Sequence, residues 1–149
     1  MMALKVGDTI PEFSLPDQNG DIFSIKDLLG KKPFVLFFYP KNNTSGCTKE
    51  ACDFRDSYED FTIKGVEVIG ISSDSVKSHQ KFKEKHQLPF VLLSDAQNEV
   101  RKLFKVKKSL LLLPGRETYV VDDTGKIIMV FNSISASEHM KRALKAVSS

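Results

Sequence analysis

The stretch NNTSGCTKEACDFRD, from Asn42 to Asp56, contains both cysteines of the chain, Cys47 and Cys52, five positions apart. A thiol pair admits three roles: inert buried side chains, a metal clip, or a reactive redox pair. A clip needs two further ligands, and His79, His86 and His139 form no ligand pair of zinc-site spacing. His79 and His86 share one face of a predicted helix about two turns apart, and both are expected to be solvated surface residues. The local context of Cys47 favours reactivity over passive burial. It follows the apolar run Phe34–Tyr39 and Pro40, where a strand gives way to a helix, and open α/β sheets place their sites outside the carboxyl ends of strands. Thr44, Ser45 and Gly46 are helix-capping types and put Cys47 in the first helical turn. Unpaired N–H groups and the helix dipole favour an anion there. Thr44, three positions earlier, brings a hydroxyl within reach of the sulfur or of a ligand bound to it.

Helix geometry constrains the pair further. Residues five apart on an α-helix are separated by about 140° around the axis and about 7.5 Å along it. A disulfide needs Cα atoms within roughly 4.4–6.8 Å and converging Cβ vectors. Cys47 and Cys52 therefore bond only if the first turns of their helix unwind, which would couple redox state to conformation.

The elements that must position these residues are readable in outline. Phe13–Leu15 and Ile22–Ile25 alternate around a turn at Asp17, Asn19 and Gly20 and predict a small hairpin. Phe34–Tyr39 is apolar on both faces, as a buried central strand is. Ser45–Phe61 is helical in character, Val66–Ser72 is a second buried strand, and Ser75–His86 an amphipathic helix stopped by Leu88-Pro89. Phe90–Leu93 predicts a short strand and Glu99–Phe104 a short helix. Thr118–Val121 and Ile127–Phe131 flank the hairpin turn Asp122-Asp123-Thr124-Gly125, and a last helix runs from about Ser137 to Val147. This order predicts an α/β, thioredoxin-like fold: a mixed central sheet flanked by helices, with an N-terminal β-hairpin.

At 149 residues the chain is expected to form one domain, residues 1–149, with no repeat or linker. Its 41% hydrophobic and 28% charged residues are those of an ordinary globular protein. No apolar run reaches the length of a membrane span, and Met1–Ile10 lacks a secretory signal core, so neither membrane insertion nor secretion is expected. A net charge of +3 from 22 basic and 19 acidic residues argues against nucleic acid as a partner. The densest basic cluster, Lys105–Lys108, reads as a solvated helix end. Two cysteines in a chain of this length suit a reducing compartment, and a cytoplasmic location is expected.

The segment YPKNNTSGCTKEACDFRDSY, Tyr39 to Tyr58, closely resembles the active-site segment of peroxiredoxins, above all the peroxiredoxin Q branch, also called bacterioferritin comigratory protein. GDTIPEFSLPDQNG, GVEVIGISSDSVKSHQKF, LPFVLLSDAQNEVRKLF and GRETYVVDDTGKI are similar to the family's successive segments, so the resemblance covers nearly the whole chain. It implies a peroxidatic Cys47, a resolving Cys52, pocket residues Thr44 and Pro40, and an active-site arginine at Arg116. Ser45 departs from the pattern, standing where many members have proline.

The implied activity is a thiol-dependent peroxidase in antioxidant defence. It reduces hydrogen peroxide and organic hydroperoxides through a Cys47 sulfenic acid and an intramolecular Cys47–Cys52 disulfide. Thioredoxin or a glutaredoxin re-reduces that disulfide, with no metal, haem or flavin cofactor and a monomeric chain. Arg116 would keep Cys47 ionised and stabilise charge on the peroxide oxygens, in place of a surface salt bridge to Glu117 or Asp122. Glu50, one turn after Cys47, is a candidate partner of Arg116 or the loop, and Arg55 and Asp56 read as helix-face residues that orient neighbours. Two other uses of the thiols stay open. One is a redox sensor switched by the unwinding helix. The other is a thiol–disulfide oxidoreductase, which the lack of a Cys-x-x-Cys motif disfavours.

Overall fold

The computed structural model describes residues 4–106, 115–133 and 135–148. Its centre is β3 (Phe34–Phe38), every residue of which is buried because both sheet faces are covered. β4 (Glu67–Ser72) and β5 (Val91–Ser94) extend the sheet from one side of β3 in parallel. β6 (Glu117–Val121) and β7 (Ile127–Asn132) extend it antiparallel from the other, giving the order β5-β4-β3-β6-β7. The predicted mixed sheet is thus present. The N-terminal hairpin, β1 (Ser14–Pro16) and β2 (Ile22–Ser24), forms a separate two-stranded sheet.

The pleat divides the strands' side chains between two cores. Phe34, Leu36 and Phe38 join Ile69, Ile71, Tyr119 and Val121 under the hairpin and α4 (Glu99–Leu103). Val35, Phe37 and Tyr39 point the other way, towards α1 (Ser45–Asp56), α2 (Tyr58–Ile63), α3 (Val76–His86) and α5 (His139–Ser148). On that face Phe37 stacks on Phe54 of α1 at 4.6 Å. The contact requires Gly70 on the neighbouring strand, where a Cβ would stand 2.8 Å from the Phe37 ring. Truncating a ring held this way costs about 3–5 kcal/mol.

The long helix predicted over Ser45–Phe61 is two helices, broken at Ser57, whose ψ of 7° leaves the helical region. The break lets Phe54 and Phe61 turn into the same core, with their rings 5.8 Å apart. Of the basic cluster, Lys105 follows α4 at a φ of +57°, and Lys107 and Lys108 lie outside the described residues. No described helix is long and apolar enough to cross a membrane.

Candidate active site

β3 delivers Pro40 to the carboxyl edge of the sheet, and α1 starts at Ser45, with Thr44 as N-cap. Cys47 is the third residue of the helix, so its own N–H and those of Ser45 and Gly46 have no partner inside the helix. The side chain turns inward. Cys47 is buried in the core that holds Tyr39, Ala51 and Phe54, whereas Cys52 is half-buried farther along the helix, and both thiols are free.

Arg116, the residue before β6, reaches the sulfur from the opposite wall: its Nη2 lies 3.3 Å from Cys47 Sγ. Its Nη1 donates to Glu50 Oε1 at 2.5 Å, with both side chains buried. The bland alternative for Arg116, a surface pair with Glu117 or Asp122, is replaced by this buried contact. Gly46 makes the approach fit, since a Cβ there would stand 3.1 Å from Arg116 Nη2. Desolvation opposes the guanidinium charge, but Glu50 and Cys47 outweigh it and raise the Arg116 pKa. Burial raises the Glu50 carboxyl to about 8 against the pull of Arg116. Behind Glu50, His139 Nδ1 lies 3.5 Å from Oε2 and 2.7 Å from the Thr118 hydroxyl. Burial lowers His139 to about 4, so its ring is neutral, donating from Nε2 to the Ser133 carbonyl and leaving Nδ1 as an acceptor.

The structure brings Cys47, Glu50 and Arg116 together, and makes no hydrogen bond between Thr44 and the sulfur. The Thr44 hydroxyl donates to the Lys41 carbonyl at 3.0 Å, on the exposed side of the loop. Pro40 is half-buried at the end of β3. Arg55 anchors α1 by donating to the His86 carbonyl at 2.8 Å and pairing with Asp56.

A second buried polar cluster supports the loop. Asn42 accepts from the Tyr39 hydroxyl at 2.7 Å, donates to Ser78 Oγ, and donates to His79 Nδ1 at 3.0 Å. The Asn42 N–H donates to Asp74 Oδ2, which also accepts from Ser72 Oγ. His79 is fully buried, which corrects the expectation of a solvated surface histidine; burial lowers its pKa and keeps it neutral. The signal was Phe82, three positions on, which puts His79 on the inward stripe of α3. His86, at the end of that helix, is half-buried. Asn42, Asp74 and His139 are site-supporting residues that reading the sequence did not find.

Comparison with known proteins places the chain. The AhpC/TSA family matches residues 6–130. The chloroplastic peroxiredoxin Q of Sedum lineare is 49% identical over 145 residues, covering 96% of this chain and 77% of that protein. The chloroplastic peroxiredoxin Q of Oryza sativa subsp. japonica is 47% identical over 145 residues, covering 96% of this chain and 66% of that protein. Among solved structures, the peroxidoxin BcpB of Mycobacterium tuberculosis superposes with a TM-score of 0.90 at 43% identity, covering 97% of each chain. These relatives correct one expectation: the curated ones are chloroplastic, and the cytoplasmic location is not upheld. Two cysteines without a disulfide scaffold suit any reducing compartment, not the cytoplasm in particular. The buried thiol beside Arg116, the thioredoxin-like sheet and these matches agree that the chain belongs to the AhpC/TSA family, in its peroxiredoxin Q branch, and is a thiol-dependent peroxidase.

Proposed function

We propose that Cys47 is the thiol that attacks peroxide, that Cys52 resolves the oxidised product, and that Arg116, Thr44 and Pro40 form the pocket. One observation carries this reading: of the two cysteines, Cys47 is the buried one in the first turn of α1, with a guanidinium nitrogen 3.3 Å from its sulfur. The sulfur attacks one peroxide oxygen; the S–O bond forms as the O–O bond breaks, and the departing oxygen takes a proton as water or an alcohol. Arg116 and the free N–H groups at the start of α1 stabilise the charge on both oxygens. Thr44 and Pro40 limit what enters, and the Thr44 hydroxyl turns from Lys41 to the bound peroxide.

Cys52 then attacks the sulfenic sulfur, a disulfide forms, and hydroxide leaves as water. On a wound α1 this step is out of reach. The first turns therefore release, breaking the Arg116–Glu50 pair, while Phe54 on Phe37 and Arg55 on the His86 carbonyl hold the other half of the helix. A dithiol, thioredoxin or a glutaredoxin, supplies two electrons by exchange and restores both thiols. Substrates are hydrogen peroxide and organic hydroperoxides. A structure of a Xanthomonas campestris bacterioferritin comigratory protein, 27% identical to this chain, is described in terms of alkyl peroxide reduction. The working unit is a monomer, and no metal or organic cofactor takes part.

The test is peroxide consumption with thioredoxin, its reductase and NADPH for the wild type, Cys47→Ser and Cys52→Ser. Cys47→Ser should lose all turnover, and Cys52→Ser should complete one fast turnover and stop. Sustained turnover in Cys47→Ser would end this assignment.

A further inference from the structure

Arg101 belongs to α4 and lies outside the group that faces Cys47, yet it holds the two chain segments on which that group depends. The β3–β6 ladder ends at the pair Phe38–Glu117. One step farther the two strands separate to make room for the site, one continuing as Tyr39-Pro40 and the other arriving as Gly115-Arg116. The Arg101 guanidinium spans that gap. Its Nη1 donates to the Gly115 carbonyl at 2.6 Å and its Nη2 to the Tyr39 carbonyl at 2.9 Å.

The fork is itself tightly placed. Asp95, buried, accepts the backbone N–H groups of Val100 and Arg101 and so sets the start of α4. The Phe38 ring lies 5.7 Å from the guanidinium carbon. Arg101 is only 8% exposed, and among the described residues no carboxylate lies within salt-bridge distance of it. A buried cation solvated by two carbonyls and a ring face is an expensive arrangement for surface decoration. A planar five-donor fork does what a lysine cannot, bonding two separated acceptors in a fixed geometry. The charged and titratable groups around it are Asp95, Glu117, Tyr119 and Cys47. Those around Cys47 are Arg116, Glu50 on its own helix, Tyr39 just after β3 and Arg101 on α4, with His139 of α5 behind Glu50.

We propose that Arg101 is a positioning residue for peroxide reduction: by clamping the carbonyls that precede Pro40 and Arg116, it sets the approach of Arg116 to Cys47. Arg116 has its guanidinium held by Glu50 and its peptide held by Arg101, so neither end of the side chain is free to drift. This rests on Cys47 being the attacking thiol.

The experiment uses the full chain with Cys52→Ser in all samples, so that Cys47 is the one thiol titrated. Arg101→Met and Arg101→Lys are compared with the parent for the second-order rate of oxidation by hydrogen peroxide. The pH at half-maximal alkylation of Cys47 by iodoacetamide and the near-ultraviolet circular dichroism are recorded on the same samples. Arg101→Met should oxidise about tenfold more slowly or worse, and its alkylation midpoint should move up by about one pH unit, as the loss of a well-placed cationic partner does. Arg101→Lys should move both in the same direction by less, because it restores charge without spanning the two carbonyls.

A brace that serves stability alone lowers the thermal midpoint and leaves the alkylation midpoint in place; that result in folded variants overturns the proposal. If Arg101→Met does not fold, Arg101→Lys decides, and a parental rate and alkylation midpoint in it overturn the proposal equally. Failure of the underlying assignment shows elsewhere, as peroxide turnover that survives Cys47→Ser in the otherwise unaltered chain.

Discussion

Two buried polar clusters flank the loop between β3 and α1, and they are built on opposite terms. The Tyr39–Asn42–His79 cluster is neutral except for Asp74, and the Asn42 side chain has a partner for its oxygen and for both its N–H donors. The Cys47–Arg116–Glu50–His139 cluster is charged and incompletely satisfied: Glu50 Oε2, fully buried, accepts no hydrogen bond among the described residues. A satisfied network fixes one conformation, and an unsatisfied one stores cost that another state can release. The first cluster therefore holds the loop, and the second sits on the helix that opens in the proposed cycle.

Substituting one residue in each cluster separates these roles. Arg116→Met should lower the rate of peroxide reduction by about 10²–10³-fold, the size of a lost transition-state donor. Its stability at pH 6 should change little, because Glu50, raised to about 8 by burial, is already protonated there and is not left as a bare buried charge. Asn42→Ala should do the reverse. It should keep most of the rate and lose about 2 kcal/mol of stability, from the Tyr39 and His79 groups left unpaired. Urea unfolding and stopped-flow oxidation of both variants check the contrast, and equal losses in both assays would dissolve it.

The charge difference also predicts a pH signature. The folded Glu50 carboxyl, at about 8, lies above its ordinary 4.5, so folding favours its protonated form. That stabilisation is complete below about 4.5 and is lost as pH rises through about 8. His139 works with opposite sign: lowered from 6.5 to about 4, it contributes stability above 6.5 that is lost as pH falls towards 4. Buried His79, also lowered, adds to the acid limb. Between pH 6.5 and 8 Glu50 is thus the one of the three that titrates, and the thermal midpoint should decline across that window. Glu50→Gln should flatten the decline and leave the acid limb intact.

The smallest expected effect concerns Ser45, the first residue of α1. Position N1 tolerates proline because its N–H has no intrahelical partner, and Thr44 before it is already extended at φ −87°, ψ 152°. Ser45→Pro should therefore stabilise the chain by about 0.4–1 kcal/mol with peroxide reduction retained, read from the thermal midpoint and the oxidation rate.

The order of strands and helices was legible because it rests on local signals: apolar runs, the turn at Asp122–Gly125, and capping residues before Cys47. The pairing of Cys47 with Arg116 was legible only through the resemblance, since 69 positions separate them. His79 was misjudged because a histidine's solvation depends on what covers its helix face, which the sequence of that helix alone does not state. Arg101 and His139 carry no local mark at all; each becomes informative once β6 pairs with β3 and β7 with β6, which brings up Gly115 before β6, Thr118 on it and Ser133 after β7.

By itself the sequence determined the position of Cys47 at a helix start and the spacing that forbids a Cys47–Cys52 disulfide on a wound helix, because both follow from covalent order and helical pitch. Only the tertiary structure decided which charges surround that sulfur, how the loop beside it is held, and which polar atom is left unsatisfied. Those depend on long-range strand pairing and burial, through which desolvation and distance set the energy of every charge.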